Sequence, residues 1–146
     1  QSLISEKAKG MIGLVVGPGE SFRVDRELVL RFAESIEEDP GLFEDIESSD
    51  DRVMAPLTFP LYNCTNGIDR DFDPPLNAPR RIRGSDEFQF VRAVHEGDSI
   101  KATTQLVDIY ERVGATGKMV FLVTETTYTN QRDEKVMVNR ATVIRR

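Results

Sequence analysis

Histidine and cysteine, two residue types common in acid–base and nucleophilic catalysis, each occur once in this sequence. The only histidine, His95, is the residue type best suited to proton transfer at neutral pH. It stands just before the turn sequence Glu96-Gly97-Asp98, so we expect it on the surface at a hairpin. The only cysteine, Cys64, has no histidine near it in the sequence, which predicts a buried, inert thiol and no nucleophile.

Three arginines lie close together in an acidic chain. Arg80, Arg81 and Arg83 stand in a sequence whose net charge is −6. Guanidinium groups bind phosphate well because they donate two hydrogen bonds at once, so this cluster is a candidate phosphate site. Charge balance at the edge of a loop explains it equally well, and the sequence leaves both readings open.

The overall charge and composition exclude several classes of function. A net charge of −6 repels nucleic acid and anionic membranes, so we expect neither as a partner. No His, Cys, Asp or Glu cluster has metal-ligand spacing, so no metal or other cofactor is expected. The length of 146 residues predicts one domain, residues 1–146. The single cysteine excludes an internal disulfide, and no signal sequence is visible, which together predict a cytoplasmic protein.

The first half of the chain is expected to be mainly helical and looped. Asp25 is a good N-cap, and the apolar spacing after it predicts a helix over Arg26–Glu37 that stops at Asp39-Pro40-Gly41. Met54–Cys64 contains two prolines and predicts a short broken helix on the core, whereas Asn66–Arg81 predicts a long loop. Smaller elements are expected as a helix over Leu3–Ile12, a helical turn over Leu42–Ile46 and a strand over Ser21–Val24.

The second half predicts a long antiparallel meander. Four apolar and β-branched stretches, separated by short turns, predict strands over Arg83–Val94, Ser99–Arg112, Lys118–Thr129 and Glu134–Arg145. Strands of this length twist and can wrap around a helix, which favours an α+β fold. A long free edge of such a sheet would be protected if it paired with another subunit.

Five segments, in order and spacing, resemble the MaoC-like enoyl-thioester hydratases, more specifically the N-terminal-type domains of fatty-acid and steroid dehydratases. They are Val16-Gly17-Pro18-Gly19 through Phe22, Asp25-Arg26 to Phe32-Ala33-Glu34, Ala55–Phe59, Gly84–Phe90 with Gly97-Asp98, and Thr124–Asn130. The resemblance implies a hot-dog fold, in which a long curved antiparallel sheet wraps around a central helix. It also implies assembly as dimers or as fused double hot dogs.

The resemblance places the active site after the first long helix, where the family usually carries an aspartate and a histidine five residues apart with Asn-Pro between them. Here Asp39-Pro40 takes the Asn-Pro place, so Glu37 stands for the aspartate and Leu42 or Phe43 for the histidine. Neither Leu42 nor Phe43 can transfer a proton. The resemblance also places the hairpin of His95 away from this site. We therefore expect an enoyl-CoA or enoyl-ACP hydratase (3-hydroxyacyl dehydratase) subunit that binds acyl thioesters, lacks the catalytic pair and works with a catalytic hot-dog partner.

Other functions remain open. The chain could be an active hydratase or thioesterase that uses carboxylates such as Glu37, although a solvated helix end explains that residue more simply. It could also be an acyl- or lipid-binding module without enzymatic activity. The expected ligand is an acyl-CoA or acyl-carrier-protein thioester, and the assembly is a homo- or hetero-oligomer. The candidate contacts are Pro56, Phe59 and Tyr62 along an acyl tunnel, or in the core, and Arg80 and Arg81 at the phosphates.

Overall fold

The computed structural model describes residues 1–39, 54–62, 74 and 76–146. Its helices are α1 (Glu6–Lys9) and α2 (Arg26–Ser35), with a 3-10 turn at Phe59–Tyr62. Its strands are β1 (Val15–Val16), β2 (Phe22–Arg23), β3 (Arg81–Phe90), β4 (Ser99–Gly114), β5 (Gly117–Thr129) and β6 (Lys135–Arg145). None of the described helices is both long and apolar enough to cross a membrane.

The long helix α2 begins where the sequence predicts. The Asp25 side chain accepts hydrogen bonds from the backbone N–H of Glu27 at 2.8 Å and of Leu28 at 3.4 Å, which satisfies two donors of the first turn. The helix buries Val29 and Ala33 completely. It is therefore the central helix around which the sheet curves.

The predicted meander is correct for three strands and wrong for the first. The sheet order is β1-β4-β5-β6-β3, with every pair antiparallel, so β3 pairs with β6 and not with the strand that follows it. The connection between β3 and β4 therefore crosses the end of the sheet instead of forming a hairpin. Val94 within it is 5% exposed and its carbonyl accepts from Ala55 N at 2.7 Å. This crossing closes one end of the core.

The strand limits differ from the prediction mainly in β3. It runs from Arg81 to Phe90, not from 83 to 94. The backbone N–H groups of Val91 and Arg92 both donate to the Val136 carbonyl, at 2.9 and 3.2 Å, so the regular ladder cannot continue beyond Phe90. β4, β5 and β6 agree with the predicted limits to within two residues.

The N-terminal elements are shorter than predicted. The expected helix over Leu3–Ile12 contracts to α1, because Met11 N and Ile12 N donate to carbonyls only three residues earlier. The expected strand at Ser21–Val24 is present as β2, which pairs with Ser99 and Ile100 of β4. The two-residue strand β1, which the sequence did not predict, also pairs with β4.

Two apolar clusters fill the concave face of the sheet. One lies under α2 and includes Val29, Ile100 and Tyr128; the other lies under the N-terminal segment and includes Ala8, Leu106 and Leu122. Between them runs a cross-strand row of polar residues, Thr104, Thr126 and Asn139, all buried. A curved antiparallel sheet around a central helix is the predicted hot-dog fold.

Candidate functional site

Glu37, the predicted catalytic carboxylate, lies at the exposed end of α2. Glu38 N donates to Ala33 O at 2.9 Å and Glu37 N donates to Glu34 O at 3.0 Å, which is the hydrogen-bond pattern of a Schellman cap. Glu37 occupies its left-handed position, with φ 61°. Its side chain is exposed and makes no hydrogen bond or ion pair within the described residues. The local geometry therefore gives Glu37 a role in ending the helix.

His95 lies in the crossing connection and is half-buried there. Its backbone N–H donates to Asp98 Oδ2 at 2.9 Å, and Asp98 N donates back to the His95 carbonyl at 3.1 Å. The other carboxylate oxygen of Asp98 accepts from Gln131 Nε2 at 3.0 Å. These contacts shape the turn into β4, on a different loop from Glu37.

Several predicted positions lie outside the described residues. These are Leu42 and Phe43 at the expected histidine position, Cys64, the turn at Leu42–Ile46, and most of the loop at Asn66–Arg81. In the described ranges, no group of three or more His, Cys, Asp or Glu side chains could hold a metal ion.

The predicted acyl-binding residues lie at the end of β3 that is nearest α2. Phe59 is fully buried, with its ring 5.5 Å edge-on from Phe32, so it belongs to the core. Pro56 is also buried but lines a shallow cleft. Tyr62 belongs to the 3-10 turn, and its side chain lies outside the described part of the structure.

The cleft beside Pro56 is bordered by exposed apolar side chains. Met54, Leu57 and Phe90 line it and are 37%, 60% and 41% exposed; we call these three residues the apolar patch. The Phe90 ring stacks on Phe88, whose side chain packs on the core cluster under α2. Exposure of such large apolar side chains around one cleft is typical of an interaction surface.

The predicted phosphate-binding residues lie at the opposite end of β3. Arg81 stands directly across from Arg145 of β6, while Arg80 and Arg146 exchange backbone hydrogen bonds of 2.7 and 2.9 Å. With Arg83, these residues form what we call the arginine corner: Arg80, Arg81, Arg83, Arg145 and Arg146. Arg145 and Arg146 were not predicted as site residues, because only the pairing of β3 with β6 brings them to this corner.

The candidate site is therefore the edge of β3, with a different chemistry at each end. Within the described residues β3 pairs on one side only, with β6. The nine steps from Arg81 to Phe90 span about 30 Å at roughly 3.3 Å per residue. The arginine corner and the apolar patch are thus too far apart to form one pocket within a single chain.

Polar contacts lead from the exposed Arg83 of the arginine corner to the buried Asn139 of β6. The Arg83 guanidinium pairs with Asp86 Oδ2 at 2.6 Å, and Asp86 Oδ1 accepts from Asn139 Nδ2 at 3.3 Å. Asn139 lies in the same cross-strand row as the hydrogen-bonded pair Thr104 and Thr126. The sequence does not predict this network, because only the strand register brings its residues together.

Comparisons with known proteins agree on one family. Residues 10–139 match the family model described as the FAS1-like dehydratase domain region. A UPF0336 protein of Saccharopolyspora erythraea is 27% identical over 94% of this chain and 90% of its own length.

Solved structures give the same fold. A chain of the C-terminally truncated HadBC (3R-hydroxyacyl-ACP dehydratase) complex of Mycobacterium tuberculosis superposes with a TM-score of 0.73 and 25% identity, covering 92% of this chain and 96% of that one. The ChsH1–ChsH2 complex of the same organism matches with a TM-score of 0.77 at 15% identity, covering 95% and 88%. The family match over residues 10–139 and the hot-dog architecture together show that this chain belongs to the FAS1-like dehydratase domain family of MaoC-like hot-dog proteins.

Proposed function

We propose that this chain is the acyl-thioester-binding subunit of an enoyl-thioester hydratase (3-hydroxyacyl dehydratase), and that a second hot-dog subunit supplies the catalytic acid and base. It acts as one domain, residues 1–146, in the cytoplasm, where its single thiol stays reduced. Its substrate is an acyl-CoA or acyl-carrier-protein thioester, and its own residues require no metal.

The observation that carries this proposal is the position of the two candidate acid–base groups. Adding water to an enoyl thioester requires a base at the water and an acid at the α-carbon, positioned together. Here Glu37 is exposed in a helix cap, and His95, the only histidine in the chain, lies in the crossing connection with its backbone tied to Asp98. Within the described residues neither side chain makes a hydrogen bond that would position it for proton transfer, which favours a subunit that depends on its partner for catalysis.

The β3 edge supports the assembly part of the proposal. β3 is ten residues long and, within the described residues, pairs on one side only; an open strand edge of that length readily pairs with another strand. The apolar patch at one end of the edge adds side chains that a partner can cover. A chain of each of the complexes named HadBC and ChsH1–ChsH2 has the same fold as this chain, which supports assembly with a second subunit.

Two alternatives keep the same ligand but change the chemistry. In one, the chain hydrates or hydrolyses thioesters alone, with Glu37 as the base. In the other, it binds acyl groups without any enzymatic activity. No described contact of Glu37 favours the first alternative, and the family match to a dehydratase domain region disfavours the second.

The test is an assay of the chain alone and together with a catalytic hot-dog subunit from the same genome, one that carries an aspartate and a histidine five residues apart. Hydration of crotonyl-CoA and longer enoyl-CoAs is followed by the loss of absorbance of the conjugated thioester. We expect no hydration by the chain alone, and hydration by the mixture that exceeds that of the catalytic subunit alone.

The variant Glu37→Gln separates the proposal from its alternatives. In the mixture it should leave hydration unchanged. Robust hydration by the unmodified chain alone that Glu37→Gln abolishes would establish the first alternative. If no partner subunit changes its activity on addition of the chain, the binding module is the better description.

A further inference from the structure

A small side chain separates two polar ones on the concave face of the sheet. The strand register aligns Asp86 of β3, Ala141 of β6 and Thr124 of β5 in one cross-strand row, and we call these three residues the alanine gap. The row continues to Leu106 of β4, which packs in the interior, so its members face the interior too. Asp86 and Thr124 lie two strands apart, roughly 10 Å between their backbones, and within the row only the methyl group of Ala141 stands between them. Ala141 itself is only half-buried, which leaves space above its methyl group.

Thr124 carries a hydrogen-bonding group that the described part of the fold does not use. It is 4% exposed, and its hydroxyl has no hydrogen-bond partner among the described residues. The hydroxyl of Thr126, by contrast, is bonded to that of Thr104. Native proteins contain few buried polar groups without a partner, and they tolerate them mainly where function requires them. Rotation about χ1 exchanges the positions of the hydroxyl and methyl groups, so the hydroxyl can turn towards Ala141.

Asp86 on the other side of the gap is held by the fold but retains an acceptor. Its Oδ2 accepts from Nε and Nη2 of Arg83 at 2.8 and 2.6 Å, and its Oδ1 accepts from Asn139 Nδ2 at 3.3 Å. A carboxylate oxygen accepts two hydrogen bonds, so within the described residues Oδ1 has room for a second donor. Because the Asp86 side chain is 17% exposed, a ligand reaches the gap from the β3 side.

The two sides of the gap together select a hydroxyl group. A carboxylate only accepts hydrogen bonds, whereas a threonine hydroxyl both donates and accepts. A ligand hydroxyl can donate to Asp86 and accept from Thr124, at about 2.8 Å each. A carbonyl oxygen would face the carboxylate without a proton between them, and a methylene group would leave both side chains unpaired. The Arg83 guanidinium beside Asp86 repels a cationic ligand.

We propose that the alanine gap binds a hydroxyl group on the acyl chain of the substrate, so that hydroxylated acyl thioesters are the preferred ligands. This inference rests on the proposed function, because it takes the ligand to be an acyl thioester. The apolar clusters on both sides are a suitable environment for the hydrocarbon chain that carries the hydroxyl. The 3-hydroxyl group of the hydration reaction forms at the acid and base of the partner, so the hydroxyl bound here lies further along the chain.

The first experiment measures the binding of thioesters to the purified chain by calorimetric titration. The ligands are dodecanoyl-CoA, its 3-hydroxy, mid-chain hydroxy and terminal hydroxy forms, and the mid-chain ketone. We expect the mid-chain or the terminal hydroxy form to bind about tenfold more tightly than dodecanoyl-CoA, which corresponds to the net gain of one well-formed hydrogen bond. The ketone and the 3-hydroxy form should bind no more tightly than dodecanoyl-CoA.

Two substitutions on β5 test whether the gap is responsible. Thr124→Val removes the hydroxyl and should abolish the preference for the hydroxylated thioester, while dodecanoyl-CoA binds as before. Thr127→Val is the matched control, because Thr127 lies on the opposite face of the same strand, so this variant should keep the preference. Since Thr124→Val should also stabilise the chain, a lost preference cannot be attributed to unfolding.

A larger side chain at Ala141 gives an independent test. Ala141→Val fills the space above the methyl group and should also abolish the preference for the hydroxylated thioester. Urea unfolding shows whether this variant is folded; if it is not, the Thr124→Val comparison decides.

Four results would overturn the inference: equal binding of hydroxylated and plain thioesters, a preference limited to the 3-hydroxy form, a ketone that binds as tightly as the hydroxy form, or a preference that Thr124→Val leaves intact. Each leaves the proposed function standing if dodecanoyl-CoA binds and the two-subunit complex hydrates enoyl-CoA. A hydroxyl preference that Thr124→Val abolishes, in a chain that stimulates no partner subunit, would instead count against the proposed function. Absence of binding by every thioester would overturn both.

Discussion

The hydroxyl groups of Thr104 and Thr126 lie 2.9 Å apart across β4 and β5, in the buried row between the two apolar clusters. Thr124, two residues before Thr126 on the same face of β5, is 4% exposed, and its hydroxyl has no hydrogen-bond partner among the described residues. Two threonines on one strand therefore make opposite contributions to stability. On folding, Thr126 exchanges its hydrogen bonds to water for one to Thr104, whereas Thr124 loses its hydrogen bonds to water without replacement.

Replacing Thr124 with valine should stabilise the chain. Valine has nearly the same shape and removes a buried hydroxyl without a partner, which costs about 1–3 kcal/mol. Thr126→Val is the matched control, because it removes a paired hydroxyl and leaves that of Thr104 buried alone, so it should destabilise by a similar amount. The urea concentration at the midpoint of unfolding measures both effects. If Thr124→Val lowers this midpoint as much as Thr126→Val does, the Thr124 hydroxyl has a hydrogen-bond partner in solution.

Replacing Glu37 with glycine should also stabilise the chain. Glu37 has φ 61°, a backbone angle that glycine adopts without the clash that a Cβ causes. Glycine also adds conformational freedom to the unfolded chain, which offsets part of this effect. The free energy of unfolding should therefore rise by about 0.5–1 kcal/mol. Glu38→Gly is the control, because Glu38 is also exposed but has no positive φ, so it should be neutral or destabilising. Thermal unfolding compares the stability of both variants with that of the unmodified chain. Equal effects of the two substitutions would argue that the left-handed position carries no strain.

Introducing a charge into the apolar patch should disrupt assembly. Leu57 is 60% exposed beside the β3 edge, and a carboxylate buried there by a partner would be left unpaired. Leu57→Glu should therefore shift the oligomer towards monomer in analytical ultracentrifugation, with little change in unfolding of the isolated chain. Val113→Glu, at the tip of the β4–β5 hairpin and 79% exposed, should leave the assembly intact. Identical sedimentation of both variants and the unmodified protein would place the interface elsewhere.

The local elements of this fold are predictable because each depends on neighbouring residues. The Asp25 cap needs only the N–H groups of the next turn, and β4, β5 and β6 are joined by short turns that bring consecutive strands together. The partner of β3 is not predictable in this way. A run of turn residues before β4 suggests a hairpin, yet the packing of Val94 against the core carries the chain across the sheet end instead.

The same limit applies to register within a strand. Simple alternation in β4 places Tyr110 on the face of Leu106 and Ile109 on the other. A register shift between Leu106 and Asp108 reverses this, so Ile109 is 6% exposed and packs with Leu106. Two of the five residues of the arginine corner, Arg145 and Arg146, were missed for a related reason. Arg145 lies more than 60 positions after Arg81 in the sequence, and only the β3–β6 register joins them.

The attachment of the N-terminal segment should depend on pH through Glu111. Its Oε1 accepts hydrogen bonds from Ser2 Oγ at 2.8 Å, from Leu3 N and from Ile4 N at 3.2 Å. The Ser2 hydrogen bond, aided by those of Leu3 and Ile4 and opposed by desolvation, lowers the pKa of Glu111 below its ordinary value of 4.5. A lowered folded-state pKa means that the contact contributes its full stability above pH 4.5 and loses it as the pH falls through the folded-state value.

Amide hydrogen exchange of Leu3 and Ile4, measured as the pH is lowered from about 6 to about 3, tests this coupling. Protection of both amides should fall on acidification, because the protonated Glu111 accepts their hydrogen bonds more weakly. Ala8 N, which donates to Ser5 Oγ at 3.1 Å, does not depend on a carboxylate and should keep its protection. In Glu111→Gln the Leu3 and Ile4 amides should be weakly protected at every pH. A parallel decline of all three amides in the unmodified chain would show instead that acid loosens the whole N-terminal region, independently of Glu111.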